Sequence, residues 1–210
     1  SASFDFGYSR TDRSELSLES NAGTGPGAGV GATTVDLKGG LGSASAQTKD
    51  GITVGALAAV NAVGSAVIDG GPHFWAAAAE RGNEFGGRGQ PAAVSESALK
   101  FRAKGGAQEN TTLVVVATDA TLTKAQTRRL AIMAQDGFAR ALRPVHTPLD
   151  GDIVFAAATC GKPLGDPVFA LAELGTLAAD VVARAIARGV HEATALPFPG
   201  ALPDWKSRFG

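Results

Sequence analysis

The second half of the chain constrains the fold most, because it reads strand, helix, strand, helix with short connections. Leu113-Val114-Val115-Val116-Ala117-Thr118 is an apolar stretch rich in β-branched residues, which predicts a strand. Thr123-Lys124-Ala125-Gln126 fits a capping box, and the helix it opens has apolar or small residues at 130, 133, 134, 137, 138, 141 and 142. Arg128, Arg129, Gln135, Asp136, Arg140 and Arg143 take the other side, and Pro144 ends the helix. Ile153 to Thr159 is a second apolar strand. Asp166-Pro167 then reads as an N-cap followed by proline at the first helical position. Leu174, Ala178, Val181, Val182 and Ile186 mark a second amphipathic helix, with Gly189 as its expected stop. Such an order implies helices layered on a sheet, an α/β architecture.

The first half carries weaker signals. Phe4 and Phe6 alternate and suggest one edge strand. Asp50-Gly51 sits between Ser43–Lys49 and Ile52–Val60, the pattern of a hairpin. Residues 62–68 extend the second strand or begin a third, and residues 75–80 predict a helical turn. From about Gly86 to Asn110 the chain is polar and glycine-rich without hydrophobic periodicity, so a flexible tail is expected there. Residues 190–210 have no clear period either.

Composition removes several classes of function. The 210 residues are 44% apolar and 19% charged, which excludes a wholly disordered chain, and the formal charge of −1 offers nothing to a nucleic acid or an anionic membrane. The longest apolar stretch, Val54 to Ile68, is interrupted by Gly55, Asn61, Gly64 and Ser65 and is too short to span a bilayer. Cys160 stands alone and no signal-peptide pattern is visible, so a reducing, cytoplasmic setting is the expectation. Ser1 in place of an initiator Met suggests the remainder of a longer protein.

The chemistry concentrates at a few places. Asn110-Thr111-Thr112 lies where the polar tail meets the strand at Leu113. A cut before Thr111 would set an α-amine beside a hydroxyl, a complete base and nucleophile. A β-branched pair that merely opens a strand would look the same. Asn61 interrupts an apolar run, either as a hydrogen-bonded core amide or as a donor to an oxyanion. Lys38 sits in a glycine-rich stretch where backbone can approach closely; an ordinary solvated lysine is its other reading. Asp150-Gly151-Asp152 places two carboxylates in the loop before the second strand, and the remaining oxygen ligands of a calcium loop are absent. Gly27-Ala28-Gly29-Val30-Gly31-Ala32 matches a dinucleotide fingerprint, but no strand precedes it and no helix-forming segment follows. Lys38 is followed by Gly39, so a phosphate-binding P-loop fails too. His73, His191 and Cys160 have no partners at ligand spacing and read as structural. No cofactor or metal is implied.

Taken jointly, Asn110-Thr111-Thr112, the strand and helix after it, and the loop His146–Asp152 resemble the DmpA-like N-terminal-nucleophile hydrolases. This family holds L-aminopeptidase/D-esterases, β-peptidyl aminopeptidases and endo-type 6-aminohexanoate-oligomer (nylon oligomer) hydrolases. The resemblance extends through Lys38-Gly39-Gly40-Leu41-Gly42 and Val60-Asn61-Ala62-Val63-Gly64, and so covers most of residues 25–190. It implies an αββα four-layer sandwich and self-cleavage between Asn110 and Thr111. Residues 1–110 would then close the α chain and residues 111–210 form the β chain. Thr111 would be the nucleophile, Lys38 and Asn61 would line its site, and Asp150 and Asp152 match the paired aspartates of the nylon-oligomer hydrolases. The implied partners are a small linear amide or peptide substrate, the companion chain of the same precursor, and further copies in a tetramer of αβ units. Family members also have an N-terminal portion ahead of the segment matching Ser1, with a tyrosine near the oxyanion; Tyr8 is not in that motif, so that portion is expected either to be lacking from the protein or to precede Ser1 in a longer chain. A β-peptidyl aminopeptidase/D-esterase, or a catalytically silent fragment acting as a binding or assembly module, are the other readings.

Overall fold

A computed structural model of the chain describes residues 29–105 and 110–210. The expected edge strand at Phe4 and Phe6, Tyr8 and the start of the glycine-rich motif lie outside the described residues. A four-stranded sheet runs in the order β1 (Leu41–Gln47), β2 (Thr53–Ala59), β3 (Leu113–Ala120), β4 (Ile153–Lys162). The first two pairings are antiparallel and β3 to β4 is parallel, because a helical crossover joins that last pair. Among the described residues there are five α-helices, α1 (Glu96–Leu99), α2 (Lys124–Ala134), α3 (Asp136–Ala141), α4 (Phe169–His191) and α5 (Trp205–Phe209), and the helical turn expected at residues 75–80 is a 3-10 turn over Trp75–Ala79.

One face of the sheet holds the core. Val54, Ala56 and Ala58 of β2 and Val114, Val116 and Ala120 of β3 are buried, and so are Leu130 and Ala134 of α2, Phe138 of α3, and Leu174, Val181, Val182 and Ile186 of α4. Each such Leu, Val or Ile contributes roughly 1.5 to 3 kcal/mol by leaving water. The alternate positions of the strands, Leu57, Leu113, Val115, Ile153 and Phe155, form an exposed apolar row on the opposite face. Among the described residues, then, one sheet and the helices on one of its sides are seen.

The Asp50-Gly51 hairpin forms as read, with Gly51 at φ +78°. The capping box at Thr123 and Gln126 is present in both directions, and the Asp166 carboxylate accepts the N–H groups of Val168 and Phe169 at the start of α4. Three expectations need correction. The single helix expected before Pro144 is two, divided at Gln135, and α3 seats Gly137 against Ala179 and Val182 of α4. Residues 62–68 form no strand; Ser65 and Val67 make isolated bridges to Arg143 and Phe74. Finally, α4 runs through Gly189 to His191. A Cβ at Gly42 would stand 2.1 Å from the Ala185 carbonyl and 2.3 Å from the Gly189 nitrogen. Gly189 is therefore a site of close helix-to-sheet approach, not a helix stop.

Candidate active site

The register of the sheet determines which residues meet at Thr111. In the β2–β3 pairing Ala59 faces Leu113, and in the β3–β4 pairing Leu113 faces Ile153. Extending each ladder by two residues sets Asn61 on one side of Thr111 and Gly151 on the other. The hydrogen bonds follow that row: Thr111 N–H donates to the Asn61 carbonyl at 2.9 Å, and Gly151 N–H donates to the Asn110 carbonyl at 2.7 Å. The parallel bridge between Asn110 and Asp150 continues the same ladder. Asn61, Thr111 and Asp150-Gly151-Asp152, far apart in the sequence, thus converge where β2 ends and β3 and β4 begin.

Asn110 is buried and Thr111 half-buried. The Thr111 hydroxyl donates to the Asn110 carbonyl at 2.7 Å, so that oxygen receives both Oγ1 of the residue after it and the N–H of Gly151. The Asn110 carbonyl is thus polarised by a fixed backbone donor and has the hydroxyl of the next residue held beside it. Gly151 matters sterically as well, because a Cβ there would lie 2.5 Å from Thr111 Oγ1.

The two aspartates hold backbone. Asp150 Oδ1 accepts Val63 N–H at 3.2 Å, while its Oδ2 accepts the N–H and hydroxyl of Thr147 at 3.3 and 3.1 Å. Asp152 Oδ1 accepts Thr112 N–H at 2.9 Å, and its Oδ2 lies 3.3 Å from His146 Nδ1. Burial pushes the Asp152 carboxyl above its usual range; Asp150 adds to that, whereas Thr112 N–H and His146 oppose it. By strand parity Thr112 and Asp152 share the helix-covered face, and Thr111 and Gly151 share the open one.

Asn61 Oδ1 accepts from Thr33 N–H at 3.2 Å and from Lys104 Nζ at 3.0 Å. Lys38 is 3% exposed, and burial lowers its pKa. Its ammonium donates to the carbonyls of Gly29, Ala32 and Gly39 at 2.9, 2.7 and 2.7 Å, so its hydrogen bonds hold the glycine-rich loop and none is made to Thr111. The structure therefore groups Thr111, Asn61, Asp150 and Asp152, and sets Lys38 under the adjoining loop. Sequence reading missed Gly151 and Lys104: the first becomes visible once the strand register is known, and the second is one lysine in an unpatterned tail. His73 contacts the Gly89 carbonyl and His191 packs on Trp205, while Cys160 is exposed. Among the described residues no helix is long and apolar enough to cross a membrane.

The family model for peptidase family S58 matches residues 11–200. An uncharacterized aminopeptidase of Mycobacterium bovis is 41% identical over 219 residues, covering 98% of this chain and 61% of its own. One of Mycobacterium leprae is 40% identical over 195 residues, covering 84% and 53%. The chain thus spans less than two thirds of these relatives' length. Among solved structures, a β-aminopeptidase from a Burkholderia species superposes with a TM-score of 0.54 at 25% identity, over 86% of this chain and 51% of that one. The L-aminopeptidase D-Ala-esterase/amidase of Ochrobactrum anthropi, described as a variant of the N-terminal-nucleophile hydrolase fold, gives 0.53 at 22% identity over 85% and 48%. The latter likeness concerns the fold alone, and the mixed α/β sheet-and-helix arrangement described above agrees with it. The chain belongs to peptidase family S58.

Proposed function

We propose that this chain carries the self-processing centre of an amide hydrolase whose nucleophile is Thr111. The observation that carries the reading is the Asn110 carbonyl, held at 2.7 Å both by the Thr111 hydroxyl and by Gly151 N–H. In self-cleavage Thr111 Oγ1 bonds to the Asn110 carbonyl carbon as the C–N bond breaks. The hydroxyl proton ends on the departing nitrogen, which becomes the α-amine of Thr111. Water then hydrolyses the ester and leaves Asn110 with a free carboxylate. The new amine, with an ordinary pKa of about 7.7 to 8.0, is suited to act as base for the same hydroxyl in later turnovers. Asn61 stands beside it as a donor to the developing oxyanion, and Asp150 and Asp152 hold the backbone on either side.

For substrate we favour unbranched amides and short oligomers with a linear acyl part, 6-aminohexanoate oligomers among them. The warrant is the paired aspartates with threonine. A β-peptidyl aminopeptidase is the second reading, favoured by the likeness to the Burkholderia enzyme. Expressed from its whole gene, the protein should yield a smaller chain whose N-terminal sequence is Thr-Thr-Leu-Val, and Thr111→Ala should leave one intact chain. A different new N-terminus, or an uncut preparation that hydrolyses amides, refutes the reading. Rates on 6-aminohexanoate oligomers, β-peptides and α-peptides then separate the two substrate classes.

A further inference from the structure

The segment ahead of Asn110 contributes a cation to the same site. Lys104 donates its backbone N–H to the Val63 carbonyl at 3.0 Å, which fixes where its side chain starts. Its ammonium donates to Asn61 Oδ1 at 3.0 Å and to the Thr33 carbonyl at 2.9 Å. The same Oδ1 accepts Thr33 N–H at 3.2 Å. An amide whose oxygen takes two donors cannot flip, because its NH2 would then face an ammonium and an N–H. The donor end of Asn61 is thereby turned away from Thr33 and Lys104.

We propose that Lys104 is a positioning residue of the Thr111 centre: it clamps the Asn61 amide by its oxygen, so that the NH2 end is the one offered to the reacting carbonyl oxygen. The proposal rests on the reading of Thr111 as nucleophile. Three segments meet at this clamp: the loop at Thr33, the stretch after β2, and the segment that leads to the cut. Partial burial brings the Lys104 pKa down to about 8, and the negative Asp150 nearby acts to raise it. The charge-assisted form of the clamp is therefore present below that pH and lost above it. Asp150 and, after cleavage, the α-amine of Thr111 are the other titrating groups at this place.

Two measurements decide it. In a double-mutant cycle on the protein expressed from its whole gene, Lys104→Met should lower kcat about tenfold, the worth of one hydrogen bond. KM should change by less than about twofold, since binding of the substrate's remote parts is untouched. The double variant Lys104→Met/Asn61→Ala should be no slower than Asn61→Ala alone, and Lys104→Arg should recover part of the loss. Losses that multiply independently overturn the proposal. The second measurement needs no turnover: in the uncut Thr111→Ala chain, which has no free α-amine at residue 111, the side-chain NH2 signals of Asn61 in a 1H–15N spectrum should shift with pH around 8 and stay still once Lys104→Met is added. Signals indifferent to both pH and the substitution overturn it as well. If the wild type hydrolyses no amide, the Thr111 reading fails and the spectrum alone judges Lys104.

Discussion

Gly151→Ala is the sharpest single test of the geometry around Thr111. The backbone of Gly151 lies outside the left-handed region, so alanine meets no conformational penalty there. Its new Cβ would stand 2.5 Å from Thr111 Oγ1, and 3.5 Å from both the Asn110 carbonyl oxygen and Thr111 Cβ. Only the first of these distances is impossible, since non-bonded heavy atoms settle about 3.5 to 4.0 Å apart. The cheapest relief is rotation of the threonine to another staggered well, which carries the hydroxyl off the Asn110 carbonyl. Stability then falls by about 1 kcal/mol, one neutral hydrogen bond, and Tm by roughly 2 to 4 °C for a chain of this size. Cleavage suffers far more, because displacing a reacting atom by about 1 Å costs around a hundredfold in rate. Gly151 N–H is still present in the variant, so the carbonyl stays polarised and the loss reports hydroxyl placement alone. The assay is a time course of intact mass during refolding or after expression, alongside a thermal melt. A Gly151→Ala protein that cuts itself at the wild-type rate refutes the argument that this hydroxyl, in this rotamer, is the attacking group.

Two further outcomes follow from buried charges. Lys38→Met removes three charge-assisted hydrogen bonds to backbone carbonyls, of which Gly29 and Ala32 keep the N–H groups of Ala32 and Gly39, at a cost of about 3 kcal/mol, and should lower Tm while leaving the cut between Asn110 and Thr111 in place; a fully stable variant that fails to cleave would instead put Lys38 in the chemistry. Asp152 holds its proton to higher pH when folded than when unfolded, so stability should fall as pH climbs above the ordinary carboxylate value of about 4. Asp152→Asn keeps an acceptor for Thr112 N–H and should flatten that decline in a pH series of melts, and a profile unchanged from wild type counts against the buried charge.

Elements written in local chemistry were legible in the sequence. The hairpin at Asp50-Gly51, the capping box at Thr123, the Asp166 cap and strands β3 and β4 each depend on residues within a few positions of one another. Helix boundaries set by tertiary contact were not. Gly189 looks like a helix stop in isolation, yet its missing side chain serves the contact with Gly40 and Gly42, some 150 residues earlier by position in the chain. The break at Gln135 and the bridges that replace a strand at 62–68 likewise depend on distant partners, here α4, Arg143 and Phe74.

The site follows the same division. Thr111 and the aspartate pair are conspicuous as residue types, but what they do depends on register, and register is a property of the assembled sheet. One residue of slip between β3 and β4 would exchange Gly151 for Asp150 or Asp152 beside Thr111, bringing a side chain into the space the hydroxyl needs. The apolar set of β4 that packs against the core, Val154 and Ala158, guards against that slip, since the same shift would turn those residues to the open face. The hydrophobic pattern that folds the sheet is therefore also what sets the hydroxyl of Thr111 against the Asn110 carbonyl. Lys38 shows the converse: a lysine among glycines invites a catalytic reading, but three carbonyls of its own loop accept the hydrogen bonds of its ammonium. Lys104, in a segment with no pattern at all, is the cation that reaches Asn61.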